Sequence, residues 1–220
     1  MGKKNDNYIK IETPFKRDMD GSKKLVIGDY RSEALEYLAP LNFQWTEKID
    51  GTCICVRWTG HEFEIEGHNK NSQIAGDLID YIKSKFTTNE AEELVEQNFG
   101  ETIVEFYGEG YGAGIQKGGG YSDEKKFIMF DIYLPESDLW LTRDSVDDIA
   151  NALDIESVPI LLVGTLDDAI HYVQTVEKTT IGKGEASLEG VVGRPLVELK
   201  DRFGKRIIVK VKKCDFLLDN

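Results

Sequence analysis

The stretch Glu47-Lys48-Ile49-Asp50-Gly51-Thr52 sets a lysine just ahead of an Asp-Gly pair. Asp followed by Gly favours a tight turn, and glycine lets a backbone approach a ligand closely. Read alone, a lysine at such a turn is an exposed hairpin residue. Four more stretches follow in order: Tyr107-Gly108-Glu109-Gly110, Phe130-Asp131-Ile132, Glu189-Gly190-Val191-Val192 and Lys210-Val211-Lys212. An ordered set spread over most of a chain carries far more information than any single member.

The chain has 220 residues, enough for a sizeable core in one large domain or two small ones. A hydrophobic content of 40% and an aromatic content of 10% fit a folded chain. No apolar run approaches the length that spans a bilayer, and residues 1–10 do not read as a signal peptide. Cys53, Cys55 and Cys214 give no even disulfide framework, so reduced thiols and a cytoplasmic protein are expected, in a host cell's cytoplasm if the gene is a phage's. Cys53-Ile54-Cys55 has no second ligand pair nearby, which argues against structural zinc. The net charge of −13 argues against a general nucleic-acid coat. A local basic footprint remains, because residues 200–213 hold seven Lys and Arg against Asp201 alone. The acids Glu90, Glu92, Glu93, Glu96 and Glu101 read as a solvated face.

Periodicity sets the fold class. Residues 32–39 read as a short helix stopped at Pro40, and 43–48, 53–58 and 63–67 as strands with a turn at Gly60. Ile74, Leu78, Ile82 and Phe86 recur every fourth residue, the pattern of an amphipathic helix. Asn89 with Glu92 reads as the N-cap of a second helix that Gly100 ends. Strands are expected at 103–107, 127–134, 188–192 and 206–212, helices at 145–153 and 166–176, and a loop at 182–187. The glycine-rich residues 108–120 read either as a mobile loop or as a surface hairpin. Without a strict βαβ rhythm, the pattern favours α+β with antiparallel sheets flanked by helices.

The residue types constrain the chemistry. A lysine is a nucleophile only as the free amine, so Lys48 needs surroundings that tolerate the neutral form. In 206–213, strand alternation puts Ile207, Val209 and Val211 on one face and Ile208, Lys210 and Lys212 on the other. Two lysines on one side of a buried strand call for an anion, and phosphate is the obvious one; a half-exposed edge strand is the alternative. His61, His68 and His171 have no triad or ligand spacing and read as ordinary polar residues.

This ordered set resembles the active-site motifs of the covalent nucleotidyltransferases: ATP-dependent RNA ligases, DNA ligases and mRNA capping enzymes. The likeness covers residues 45–212, and its forms are closest to the phage-type RNA ligases. The resemblance implies a single adenylyltransferase domain over 1–220, of the ATP-grasp-like ligase adenylation kind. It implies that Lys48 forms a lysyl–AMP phosphoramidate and that Lys210 and Lys212 contact the α-phosphate. Glu189 is then the residue for the metal, Mg²⁺ or Mn²⁺, which neutralises triphosphate charge. Glu109 would meet the ribose hydroxyls and Phe130 would stack on the purine, although an aromatic in a strand is also ordinary core. Asp50 and Gly51 belong to the nucleotide site through the lysine motif, Glu47 would touch the adenine edge, and Lys70 stands where the family has a basic residue.

The expected activity is ATP-dependent joining of RNA, as in RNA repair. AMP passes from Lys48 to a 5′-phosphate end, and a 3′-hydroxyl then displaces it. Two other readings stay open: a minimal DNA nick ligase, and a non-catalytic RNA-end or nucleotide-binding module of the same fold. Cys53 stands five places after Lys48, where DNA ligases usually carry Arg and RNA ligases often Asn, so that contact is not carried over. Eight residues follow Lys212, and an OB-fold is not expected. The acidic charge leaves room for an accessory nucleic-acid-binding partner.

Overall fold

Two separate apolar clusters organise the chain, one around Ile54, Phe106 and Met129 and one around Trp45, Val191 and Val211. The computed structural model describes residues 8–67 and 72–216. In chain order the elements are β1 (Phe15–Arg17), β2 (Leu25–Tyr30), α1 (Glu33–Leu38), β3 (Phe43–Lys48), β4 (Thr52–Trp58), β5 (Phe63–Gly67), α2 (Gly76–Phe86), α3 (Asn89–Phe99) and β6 (Val104–Tyr111). Then follow β7 (Lys126–Leu134), β8 (Leu139–Trp140), α4 (Arg143–Ala152), β9 (Glu156–Ser157), β10 (Ile160–Gly164), α5 (Leu166–Thr175), β11 (Gly190–Pro195), β12 (Val209–Lys212) and α6 (Lys213–Phe216). The fold is α+β with mainly antiparallel sheets; among the described residues, β7 with β9 is the parallel strand pair. No helix of the described residues is long and apolar enough to cross a membrane.

The chain divides into two compact units. The first comprises residues 1–9 and 50–158. Its sheet runs β5-β4-β6-β7-β8, with β9 added beside β7. Ile54, Val56, Trp58, Phe106, Phe127 and Met129 line one face by strand alternation, and Leu78, Ile82 and Phe86 of α2 pack in the same cluster. The helix pattern from Ile74 held, except that Ile74 precedes the first turn. For α3 the cap is Thr88, whose hydroxyl accepts from the Ala91 N–H, and not Asn89, which is the first helical residue. Gly108 and Gly110 lie inside β6 and not in a loop. A Cβ on Gly108 would come within 2.3 Å of the Phe127 ring, so glycine there admits the aromatic.

The second unit comprises residues 10–49 and 159–220. Its sheet has the order β10-β3-β11-β12, antiparallel throughout. Leu166, Ala169 and Val173 of α5 cover the apolar face. That helix starts at a capping box, with Thr165 and Asp168 satisfying each other's backbone N–H. The polar opening residues of this unit also form a hairpin, β1 with β2. Strand β12 begins at Val209, three residues later than the alternation predicts. Arg206 lies in an isolated bridge to Lys200 instead.

Candidate active site

The second unit gathers the lysines. Strands β3 and β12 flank β11, and both Lys48 and Lys212 stand opposite Gly190. Residues paired across a ladder share a face. One face therefore carries Trp45, Val191, Val209 and Val211, all buried. The opposite face carries Thr46, Lys48, Val192, Arg194, Lys210 and Lys212.

Glu189 immediately precedes β11. Its Oε2 lies 2.7 Å from the Lys48 ammonium, and its Oε1 lies 2.8 Å from the Lys212 ammonium. The three side chains are 24%, 16% and 31% exposed for Lys48, Glu189 and Lys212, so the pairing is only partly screened by water. Gly190 makes this approach possible. A Cβ there would meet the Val211 carbonyl oxygen at 2.2 Å and the Lys212 Cα at 2.8 Å. The Lys213 N–H donates to the Glu189 carbonyl at 2.9 Å and pins the same corner.

Three lysines thus share one face, with Glu189 bonded to two of them and Glu12 and Asp215 as further anions nearby. Burial, followed by the Lys48 and Lys212 charges, holds the Lys210 ammonium below the usual lysine range, against the opposing pull of Glu12 and Glu189. The Glu189 hydrogen bond pushes Lys212 the other way, up. A half-buried cluster of lysines is chemically suited to a polyanion. Glu12 accepts the Lys210 N–H on its carbonyl at 3.0 Å and belongs to this surround. A single glutamate in a patternless polar segment gave no signal of it.

Glu47 is 2% exposed and pairs with Val191, so it lies toward the face opposite Lys48. Its carboxylate accepts from the Thr179 hydroxyl, from the Thr180 N–H at 3.0 Å and from the Thr180 hydroxyl at 2.7 Å. The Glu47 carboxylate is therefore engaged by residues 179–180. Arg206 does not join the basic surface that its neighbours suggest. Its side chain is 2% exposed and donates to Glu198, with Nη2 to Oε2 at 2.8 Å.

In the first unit, the Asp50 N–H donates to the Tyr121 hydroxyl at 3.2 Å. A Cβ on Gly51 would meet the Gly110 carbonyl oxygen at 2.3 Å, so the turn requires glycine for space. Cys53 stands opposite Glu109, which is half-buried. The face shared by Cys53, Cys55, Tyr107 and Glu109 is the polar face of the sheet. Burial pushes the Cys55 thiol up to about 12, which leaves it a neutral thiol at physiological pH. Tyr107 donates to Glu105 at 2.6 Å, and Arg57 donates to the same carboxylate at 3.0 Å.

Strand β7 is irregular where it matters. Tyr107 pairs with Asp131 and Gly108 with Met129, so Phe130 is the extra residue of a bulge. Asp131 is fully buried, and the Tyr8 hydroxyl donates to it at 2.6 Å. Neither Tyr8 nor Asp131 was singled out from sequence, although Asp131 sits inside a quoted motif. Lys70 lies outside the described residues.

Among the described residues, no group of three or more His, Cys, Asp or Glu forms a ready cage. Glu189 is a single carboxylate, which suits Mg²⁺ or Mn²⁺ that keeps waters and takes substrate phosphate oxygens as its other ligands.

Comparison with solved structures supports this fold. The Naegleria gruberi RNA ligase with PPi superposes with a TM-score of 0.61 at 20% identity, covering 80% of this chain and 51% of that one. An alanine variant of the same ligase with AMP and Mn gives 0.62 at 18%, covering 82% and 52%. Another variant with ATP and Mn gives 0.61 at 17%, covering 80% and 50%. This chain thus spans about half the length of those ligases. No curated protein matches it. The RNA ligase family pattern matches residues 41–212, a span that takes in Lys48, Glu189 and Lys212, and the chain belongs to the RNA ligase family.

Proposed function

We propose that this chain is an ATP-dependent RNA ligase that carries AMP on Lys48. The observation that carries the reading is the shared carboxylate: Glu189 holds both Lys48 and Lys212, with Lys210 on the same face. Residues 1–220 work in this reading as a single adenylyltransferase domain.

The first transfer makes a bond between Lys48 Nζ and the α-phosphorus of ATP. The bond from that phosphorus to the β-phosphate bridging oxygen breaks, and pyrophosphate leaves. Lys48 must lose a proton to attack, and its side chain, 24% exposed, can release that proton to water. Lys210 and Lys212 supply positive charge beside the α-phosphate, where negative charge develops in the transition state. Glu189 would hold Mg²⁺ or Mn²⁺, which offsets charge on the triphosphate. Asp50 and Gly51 shape the turn behind the nucleophile. Glu109 and Phe130 are proposed for the ribose hydroxyls and the purine, with Glu47 toward the adenine edge and Lys70 as a further basic contact.

In the second transfer a 5′-phosphate oxygen of RNA attacks the same phosphorus and frees Lys48. In the third, a 3′-hydroxyl attacks the end phosphate, AMP leaves, and a phosphodiester forms. The partner is RNA with a 5′-phosphate and a 3′-hydroxyl, with a DNA end as the competing substrate. Incubating the protein with ATP, Mg²⁺ and a 5′-phosphorylated RNA tests this. Adenylylated RNA and joined product are expected, with less from the matching DNA. Joining only of nicked DNA would overturn the choice of substrate.

A further inference from the structure

The polar face of the first unit's sheet is closed by an aromatic side chain from far away in sequence. Tyr8 is 8% exposed. Its ring packs edge-on against Phe130 at 5.1 Å, Tyr107 at 4.9 Å and Trp140 at 5.6 Å between centroids. Its hydroxyl donates to Asp131, whose side chain is fully buried. A buried carboxylate without a donor is costly, so this bond fixes where the Tyr8 ring sits. Phe130 and Asp131 are adjacent at the bulge of β7, where the ladder no longer dictates side-chain direction. The contact from Tyr8 supplies what the ladder does not.

We infer that Tyr8 is a positioning residue for the nucleobase: through Asp131 and edge-on packing, it sets the Phe130 ring on which the purine stacks. This rests on the proposed role of Phe130. Tyr8 then belongs to the surround of the nucleotide site, although no motif marks it. Inorganic tripolyphosphate, which has no base, should not sense Tyr8.

Equilibrium binding of ATP and of inorganic tripolyphosphate to the full chain tests this in Tyr8→Ala, Tyr8→Phe and Phe130→Ala. Removing the ring should weaken ATP binding about tenfold, and removing only the hydroxyl about threefold, in line with aromatic contacts and single hydrogen bonds. Tripolyphosphate binding should stay within about twofold throughout. Wild-type ATP affinity in Tyr8→Ala, with Phe130→Ala weakened, would overturn the role of Tyr8 and spare that of Phe130. Wild-type affinity in Phe130→Ala would overturn the stacking role itself and the inference with it. Equal weakening for both ligands would show a general loss of structure and contradict positioning. If Tyr8→Ala fails to fold, Tyr8→Phe decides: unchanged ATP affinity in that variant overturns the proposal.

Discussion

Lys48 and Lys212 reach the two oxygens of one carboxylate, Glu189, from strands on either side of β11. The arrangement makes Glu189 the hinge of the proposed chemistry. It balances the lysines before nucleotide arrives, and it is the carboxylate available to a metal afterwards.

Glu189→Ala should therefore abolish labelling of Lys48 while the fold persists. A lost metal contact in a triphosphate site removes several kcal/mol of charge stabilisation. The stability cost should be smaller, about 1 kcal/mol, because the lysines remain partly solvated. Paired measurements of labelling rate and denaturant midpoint check this. A variant that labels normally would remove Glu189 from the mechanism.

The two C-terminal lysines should respond to pH in opposite directions. Lys210 is held below its usual value by burial and by its lysine neighbours. The unfolded chain therefore binds more protons there, and the strain of a charged Lys210 eases as pH rises from its lowered value toward about 10.5. Lys212 is raised by Glu189, so its stabilising effect is complete below about 10.5 and is lost as pH climbs through its raised value. Lys210→Met should stabilise the fold at pH 7 and Lys212→Met should destabilise it, each by less than about 1 kcal/mol after solvent screening. Urea melts at pH 7 and at a pH above about 10.5 read both signs. The same sign for both variants would contradict the charge arrangement.

Strand binding should separate from nucleotide chemistry. Lys200, Arg202 and Lys205 are exposed, and Arg202 lies over the Phe203 ring at 4.8 Å. Replacing the three with Gln should lower end-joining and flatten its salt dependence by a slope of about three, while Lys48 is still labelled. Arg206→Ala should act differently. It removes a buried guanidinium from its partly exposed partner Glu198 and should cost about 1–2 kcal/mol of stability. Joining and labelling rates over a salt series, with melting curves, distinguish the two. Wild-type joining in the triple variant would place the RNA on another face.

The strands that carry the lysines were legible because alternation and the order of motifs act locally. Lys210 and Lys212 fall on one face as a period of two puts them, whereas Glu189 precedes the strand that was expected to hold it. What sequence hid was long-range or degenerate. Tyr8 meets Asp131 across 123 residues, and no local pattern marks such a contact. The apolar run 127–134 conceals the bulge at Phe130, because a shift of phase changes nothing in a stretch rich in hydrophobic residues. Thr88 and Asn89 are adjacent and both cap well, so composition could not choose between them. Arg206 looked exposed because its partner, Glu198, lies before the basic run and not within it.

The central claim is that Lys48 carries the nucleotide, and intact-protein mass after incubation with ATP and Mg²⁺ tests it most directly. The wild-type chain should gain the mass of one AMP, and peptide mapping should place it on Lys48. Lys48→Arg should gain nothing while keeping its fold, because the guanidinium stays protonated and cannot attack. An AMP adduct on Lys48→Arg at wild-type level, or no adduct on a wild-type chain that still joins RNA, would contradict the account.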